Sequence, residues 1–84
     1  GAKNHRNGEF DIVTENDGEY TFYETKFKKE PLTIGAIQNE IAQVHATGFV
    51  CKRYGFFSRS GFDGMSEQDK ENLILFDLHE LYRP

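Results

Sequence analysis

The chain has 84 residues, a hydrophobic content of 37% and a net charge of −4 at neutral pH. A chain of this length forms one domain and buries only about 60–65% of its unfolded surface. Eight Phe and four Tyr predict a small, aromatic-rich core. The acidic balance argues against a protein that coats DNA, because phosphate neutralisation needs Lys and Arg. The single cysteine, Cys51, excludes an internal disulfide framework and a Cys-rich zinc site.

The sequence contains neither an apolar run approaching the ~20 residues of a membrane span nor a signal-peptide pattern. We therefore expect no membrane partner and a reduced, cytoplasmic setting. The chain opens at Gly1 without an initiator Met. We expect residues 1–8 to be a flexible start or an expression remnant. Residues 9–84 are then a single domain, the C-terminal fragment of a longer protein.

A β-hairpin is predicted next, because residues 9–13 and 20–27 are rich in β-branched and aromatic side chains. The turn between them is Asn16-Asp17-Gly18, a typical hairpin signal. With Asp17 and Gly18 as the two central residues, Asn16 pairs with Glu19. A three-residue loop with Gly18 as a bulge is the alternative, and it changes which side chains share a face.

The two-residue turn places Asp11 directly opposite Glu24, and Glu9 opposite Lys26. Directly paired residues share one face of the sheet, with Cβ atoms roughly 4.5–5.5 Å apart. Two carboxylates at that distance, beside an ammonium group, can hold a hard divalent cation. The simpler alternative is a surface hairpin with a Glu9–Lys26 pair and two solvated acids. The three-residue loop would separate Asp11 from Glu24.

The clearest helix is predicted from Ile34 to about Thr47, after Pro31 closes the hairpin. Thr33 is a suitable N-cap and Gly48 a natural C-terminal stop. Apolar residues recur at helical spacing and predict a stripe laid on the sheet: Ile34, Ile37, Ile41 and Val44.

A strand at Tyr54–Ser58 and a turn at residues 58–61 follow, and Ser66 is expected to cap a short helix through Glu71. The run Leu73–Leu78 is apolar except for Asp77, so its periodicity does not distinguish a buried strand from a helix continuing through Leu81. The three histidines are dispersed, and the glycines match no nucleotide-binding fingerprint.

Four segments together resemble the PD-(D/E)XK nuclease superfamily, in which an Asp on one strand and Glu-x-Lys on the next form a metal site. More narrowly, the chain resembles the nuclease-like C-terminal domain of some archaeal-type and bacterial AAA ATPases. The segments are Glu9-Phe10-Asp11-Ile12-Val13, Tyr23-Glu24-Thr25-Lys26-Phe27, Tyr54-Gly55-Phe56-Phe57-Ser58-Arg59-Ser60-Gly61-Phe62 and Asn72-Leu73-Ile74-Leu75-Phe76-Asp77-Leu78.

The resemblance implies a restriction-endonuclease-like α/β fold: a mixed sheet of three or four strands with one main helix, truncated at its N-terminus. An acidic helix and one more strand usually precede the Asp strand in this class, and neither is evident in the sequence. The resemblance also makes Leu73–Leu78 a strand. A hairpin, crossover helix and returning strand agree with the right-handed crossover rule.

The implied chemistry is hydrolysis of DNA phosphodiesters with Mg²⁺ or Mn²⁺. The catalytic residues would be Asp11, Glu24 and Lys26. Asp11 and Glu24 would be the metal ligands, with the Thr25 carbonyl as a further oxygen, because Mg²⁺ prefers oxygen ligands and retains several waters. Lys26 would orient the attacking water or stabilise developing negative charge.

Accessory and DNA-binding residues can also be suggested. Gln38 on the helix is a candidate to reach the site, although a solvent-facing glutamine is the simpler interpretation. Glu9 is a second accessory candidate, but it shares a strand with Asp11 and cannot replace a helix acid. Basic residues near aromatic ones are candidates for nucleic-acid contact: Lys28, Lys29, Lys52, Arg53 and Arg59.

Two functions follow as hypotheses. The first is a metal-dependent nuclease-like module that works beside an ATPase domain of the same polypeptide, with this fragment alone inactive or nearly so. The second is an interaction or oligomerisation module of an ATPase that kept the fold and lost catalysis. A bare sheet edge and face also predict a homodimer.

Overall fold

The computed structural model describes residues 2–4 and 10–82. In chain order the strands and helices are β1 (Ala2–Asn4), β2 (Phe10–Asn16), β3 (Glu19–Lys26), β4 (Leu32–Thr33), α1 (Ile34–Ala46), β5 (Arg53–Ser58), β6 (Phe62–Asp63), α2 (Glu67–Asn72), β7 (Ile74–Asp77) and α3 (His79–Tyr82).

Five strands form one mixed sheet in the order β1-β2-β3-β5-β7, and β4 pairs with β6 in a separate two-stranded sheet. The pairs β1–β2 and β2–β3 are antiparallel, whereas β3–β5 and β5–β7 are parallel. A parallel neighbour requires a crossover connection, and α1 provides the one between β3 and β5. The predicted mixed α/β architecture is therefore confirmed.

The hairpin has the two-residue turn, and the three-residue alternative is wrong. Asn16 pairs with Glu19, and the central residues Asp17 and Gly18 have φ angles of 54° and 80°. Two consecutive positive φ angles are what a type I′ turn requires, and Asp-Gly supplies them at low steric cost. The Glu15 carboxylate also accepts a hydrogen bond from the Gly18 N–H at 2.6 Å.

Helix α1 begins and ends as predicted. The Thr33 hydroxyl oxygen accepts a hydrogen bond from the Ala36 N–H at 3.2 Å, which satisfies one of the free donors of the first turn. Thr47 is the C-cap. Gly48 follows with φ of 83°, the left-handed conformation that glycine adopts most easily after a helix.

The core lies between α1 and one face of the sheet. Ile37 is fully buried, and Ile34, Ile41 and Val44 pack against the same cluster. The buried apolar residues that they join are Phe22, Leu32, Cys51, Tyr54, Phe56 and Leu73. This face, which we call the α1 face, also carries the candidate site.

The C-terminal part forms a strand, so the helical alternative for Leu73–Leu78 is excluded. Ser66 caps α2, and its hydroxyl oxygen accepts from the Asp69 N–H at 3.0 Å. The Asp69 carboxylate accepts in return from the Ser66 N–H at 2.9 Å, which completes a capping box. No helix in the described part of the chain has the length and apolar character needed to cross a bilayer.

The start of the chain differs from the expectation. Ala2–Asn4 form an edge strand on β2, so the sheet has one strand more than predicted, and a strand does precede the one that carries Asp11. The segment Ala-Lys-Asn lacks β-branched and aromatic residues, and only pairing along the free edge of β2 makes it a strand. Residues 1 and 5–9, which include the rest of the expected flexible start, lie outside the described residues.

Candidate metal centre

Two carboxylates meet at the centre of the β2–β3 hairpin. Asp11 pairs directly with Glu24, and paired residues on adjacent strands project from one face. Glu24 in turn pairs with Phe56 of β5, a core residue, which places the site on the α1 face. The Glu24 side chain is hydrogen-bonded to Asp11, and the residue is only 3% exposed. The predicted side-by-side arrangement of Asp11 and Glu24 is confirmed.

Lys26 lies beside this pair and links it to α1. The Lys26 Nζ atom is 3.2 Å from Glu24 Oε2 and 3.4 Å from Glu40 Oε1. Lys26 follows Glu24 by two residues, so both side chains project from the same face of β3. The site thus gathers three carboxyl groups and one ammonium group under the middle of α1.

Crowding of negative charge changes the protonation of Glu24. Its pKa is raised from an ordinary value of 4.5 to about 8, chiefly because burial disfavours the carboxylate. The hydrogen bond with Asp11 and the charges of Glu40 and Asp11 raise the pKa further, whereas the Lys26 ammonium lowers it. At neutral pH Glu24 therefore holds a proton, in a position that a cation would suit.

The donor set is one of oxygen atoms. In the part of the chain that the structure describes, no group of three or more His, Cys, Asp or Glu side chains is arranged to bind a metal ion. Any metal ligands from these residues would therefore come from the Asp11–Glu24 pair, which is too few for a structural zinc site. It fits Mg²⁺, which binds through one or two carboxylates and retains its other waters. The ligand role of the Thr25 carbonyl stays a prediction.

Glu40 is the site residue that the sequence analysis missed. The prediction favoured Gln38, but Gln38 is exposed and Glu40 is the helix residue that contacts Lys26. At about 100° per residue, both positions lie about 80° from the centre of the apolar stripe, on opposite flanks. Charge could have identified Glu40 from the sequence, because its carboxylate complements the Lys26 ammonium group, whereas the Gln38 amide is neutral. Glu9, the other accessory candidate, lies outside the described residues.

The basic residues fall into two separate places. Arg59 and Lys28 lie next to the site at the carboxyl end of β3, because the Arg59 N–H donates to the Lys26 carbonyl at 2.9 Å. The Ser60 hydroxyl likewise donates to the Lys28 carbonyl at 2.7 Å. Lys28 and its neighbour Lys29 are exposed.

Arg53 does not join this group. It begins β5, and Ser58 at the other end of that strand is roughly 17 Å away. Its Nη2 atom donates to the Glu71 carbonyl at 3.5 Å instead. Lys52 lies at the same far end and pairs with Glu19 at 3.1 Å. We therefore exclude both from the candidate site.

Comparison of the chain with protein-family models, with curated proteins and with solved structures found no significant match. The candidate site is consequently defined by its geometry: a carboxyl pair on a hairpin with Glu24 buried, a lysine beside it, a third carboxylate from the crossover helix, and the flanking cations Lys28, Lys29 and Arg59, of which the two lysines are exposed.

Proposed function

We propose that this chain is a nuclease-like domain that uses Mg²⁺ or Mn²⁺ to hydrolyse DNA phosphodiester bonds. The observation that supports the proposal most strongly is the direct pairing of Asp11 with Glu24, with Lys26 3.2 Å from the Glu24 carboxyl group. A surface hairpin with solvated acids does not account for a glutamate that is 3% exposed. Burying an acid is costly unless it is paired or binds a cation.

Asp11 and Glu24 would hold the metal ion. The bound ion would polarise a phosphoryl oxygen and lower the pKa of an attacking water. Binding requires Glu24 to lose its proton, and the raised pKa of Glu24 shows that this carboxylate is poorly compensated by the protein alone. A divalent cation would supply the missing positive charge between the two carboxyl groups.

Lys26 and Glu40 would orient and stabilise the reacting groups. The Lys26 ammonium is a preorganised cation at the edge of the pair, where it would offset the negative charge that develops on the phosphate. Glu40 holds that ammonium at 3.4 Å from the helix side, so Lys26 is positioned by two carboxylates. Glu40 is therefore a positioning residue.

The flanking cations would carry the substrate backbone. Lys28, Lys29 and Arg59 follow the carboxyl ends of β3 and β5, where ligands of open α/β sheets usually bind. The exposed Lys28 and Lys29 side chains there would contact phosphates, independently of base sequence. Arg59 is half-buried, and its guanidinium group lies 5.4 Å from the centroid of the Tyr82 ring. The placement of this domain beside an ATPase domain in one polypeptide is part of the proposal and rests on the family resemblance.

The first test is metal binding by this chain. Titration of Mg²⁺ at about pH 8.5 should shift the backbone amide signals of Asp11 and Glu24, because both carboxyl groups are then available. The Asp11→Asn and Glu24→Gln variants should lose these shifts. Asp17→Asn, a matched change in the exposed turn, should retain them, since Asn also tolerates the positive φ there. No site-specific shift at millimolar metal would contradict the proposal.

The second test is cleavage. Any hydrolysis of labelled DNA by this domain, with Mn²⁺ as the metal, should disappear in Asp11→Ala and Lys26→Ala. Lys26→Ala should leave the metal-dependent amide shifts of Asp11 in place, because Lys26 is not a ligand. Cleavage that persists unchanged in both variants would assign the activity to another site or to a contaminant.

A second candidate, an inactive interaction or oligomerisation module of an ATPase, is favoured by a different observation. The sheet face opposite α1 carries stacked aromatic side chains, with the Phe57 and Phe76 ring centroids 4.3 Å apart. Phe76 is 40% exposed and Tyr82 50% exposed. Exposed apolar surface of this kind often marks a protein contact. Metal titration separates the candidates, because a purely structural module would show no site-specific shifts.

A further inference from the structure

A pocket of about 490 Å³ lies among β6, α2 and β7, outside the carboxyl pair. Its volume is in the range of small-molecule sites. Its apolar lining consists of Phe62, Met65 and Leu75, and its polar lining of Asp63, Lys70 and Asp77. Gly64, with φ of 81°, turns the backbone along the same pocket. An apolar lining with a few polar groups is typical of small-molecule sites.

The pocket and the carboxyl pair are on the same face of the sheet. In one row across the sheet, Leu75 pairs with Phe56, and Phe56 pairs with Glu24. In the next row on this face, Asp77 pairs with Ser58, and Ser58 pairs with Lys26. Each of these rows spans two strand spacings, so the β7 residues of the pocket lie roughly 10 Å from Glu24 and Lys26, and roughly 14 Å from Asp11 on the next strand. One or two nucleotides of a single strand cover such a distance.

Asp77 is the best-oriented polar group of the pocket. Its Oδ1 atom accepts a hydrogen bond from the His79 N–H at 2.8 Å. Its carboxylate also lies close to the backbone at Gly61, since a Cβ atom there would be 2.9 Å from Oδ2. These contacts hold in place the carboxylate of Asp77, an exposed residue that lines the pocket. Lys70, by contrast, forms a 3.2 Å pair with the 90% exposed Glu67, a weak contact that leaves the ammonium able to reorient.

We infer that this pocket binds an unpaired guanine base of the nucleic-acid strand whose phosphate occupies the Asp11–Glu24 site. The inference rests on the proposed function, because it assigns the pocket to a nucleotide near the bound phosphate. Guanine offers N–H donors at N1 and N2 for the carboxylate of Asp77, and an acceptor at O6 for Lys70. Phe62 provides an aromatic surface on which the base stacks.

The lining disfavours a phosphate group and a thymine base. A phosphate group would face the carboxylates of Asp63 and Asp77, and like charges repel. Thymine presents O4 and O2 acceptors on either side of a single donor, so its edge would place acceptors against carboxylates. Enzymes that act on nucleic acids commonly take an unstacked base into such a pocket and recognise its hydrogen-bonding edge.

The inference is tested with mononucleotides and without added metal. Guanosine 5′-monophosphate should shift the amide signals of residues 62–65 and 74–77, and should bind at least about tenfold more tightly than thymidine 5′-monophosphate. Asp77→Asn keeps the Oδ1 acceptor for His79 but loses a carboxylate oxygen, so it should weaken guanosine monophosphate binding about tenfold. Asp17→Asn, the same change in the distant turn, should leave it unaltered.

Three results would overturn the inference: equal affinity for the two nucleotides, shifts reproduced by inorganic phosphate at the same residues, or unchanged binding in Asp77→Asn. Failure here is distinguishable from failure of the proposed function. Mg²⁺ shifts at Asp11 and Glu24 without selective guanosine binding would retain the metal site and remove the pocket. Selective guanosine monophosphate binding without Mg²⁺ shifts would retain the pocket and remove the metal site.

Discussion

Glu24 is the residue at which burial, hydrogen bonding and charge act against one another. Lys26 is within ion-pair distance, yet the pKa of Glu24 is raised to about 8 because burial and two neighbouring carboxyl groups outweigh one ammonium. A single lysine at ion-pair distance therefore does not make this site a simple salt bridge. The folded chain instead holds a carboxyl group that is neutral near pH 7 and ionises as the pH rises through about 8.

The raised pKa predicts how stability depends on pH. The folded state holds the Glu24 proton up to about pH 8, whereas the unfolded chain releases it near 4.5. Between these values the folded state binds more protons, so this contribution to stability is complete below about pH 4.5 and is lost as the pH rises to 8. We expect the metal-free protein to lose a few kcal/mol of unfolding free energy over this window.

Glu24→Gln should remove this pH-dependent loss of unfolding free energy, because an amide does not ionise. Urea denaturation at about pH 5 and pH 8.5 measures the difference in unfolding free energy for each protein. Glu67→Gln, at a glutamate whose side chain is 90% exposed, is the control and should behave like the wild type. Parallel pH dependence in wild type and Glu24→Gln would show that Glu24 does not carry the raised pKa.

Lys26 and Glu40 provide a second prediction, in which two substitutions move one pKa in opposite directions. Lys26→Met removes the charge that lowers the pKa of Glu24, so the pKa should rise. Glu40→Gln removes a charge that raises it, so the pKa should fall. Carbon-detected NMR titration of the glutamate carboxyl groups measures both. Shifts of the same sign would mean that Glu40 acts on Glu24 only through the position of Lys26.

At the scale of strands and helices, β5 depends on a glycine. An ideal Cβ on Gly55 would lie 2.5 Å from Tyr23 Cδ1, on the neighbouring strand, and 3.4 Å from the Ile74 Cβ. The Tyr23 ring therefore occupies the space above Gly55, on the face opposite α1. Glycine in a strand often marks such a close approach of a neighbouring group.

Gly55→Ala should consequently destabilise the domain by about 1–3 kcal/mol, as overpacking usually does. Replacing Tyr23 by Leu in the same protein should recover part of the loss, giving a favourable coupling in a double-mutant cycle. Gly35→Ala is the matched control. Its Cβ would meet only Thr33 Oγ1 at 3.9 Å, so helix propensity should make it neutral or stabilising by up to about 1 kcal/mol. Chemical denaturation of the wild type, the two single variants of the cycle, the double variant and Gly35→Ala measures these differences. An unaltered stability of Gly55→Ala would contradict the close contact.

At the scale of the whole molecule, the two faces of the sheet differ. The α1 face holds the core, the carboxyl pair and the pocket. The opposite face presents a row of aromatic rings, Tyr23, Phe57 and Phe76, at centroid distances of 6.2 and 4.3 Å. Phe76 belongs to β7, an edge strand of the main sheet. Edge strands with exposed apolar residues favour association with another chain.

We therefore predict a homodimer that uses this face or the β7 edge. Sedimentation equilibrium at tens of micromolar should give a mass near twice the 9.7 kDa of the chain. Phe76→Lys should return the protein to a monomer, because a lysine on an edge strand opposes pairing. Val50→Lys, at a 77% exposed apolar residue before β5, should leave the dimer intact. A monomeric wild-type protein would refute the prediction and weaken the case for an interaction module.

Local chemistry in the sequence was sufficient for the hairpin register and for the helix ends. Asp17 and Gly18 tolerate positive φ at both turn positions, which fixes the two-residue turn. This turn pairs Asp11 with Glu24, thirteen residues later in the chain. Thr33 and Ser66 cap their helices because their hydroxyl groups reach amides only three residues away. Each of these features depends on residues that are near one another in the chain, so the sequence by itself determined them.

Tertiary structure alone decided the features that depend on direction and distance between elements. Gln38 and Glu40 flank the same stripe symmetrically, and only the path of α1 over the sheet places Glu40 on Lys26. Arg53 and Arg59 are six residues apart in sequence, but β5 carries them to opposite ends of the sheet. The strand Ala2–Asn4 has no pattern of its own and exists through pairing with β2. The pocket joins residues from three elements, and no local spacing brings Asp77 beside Phe62.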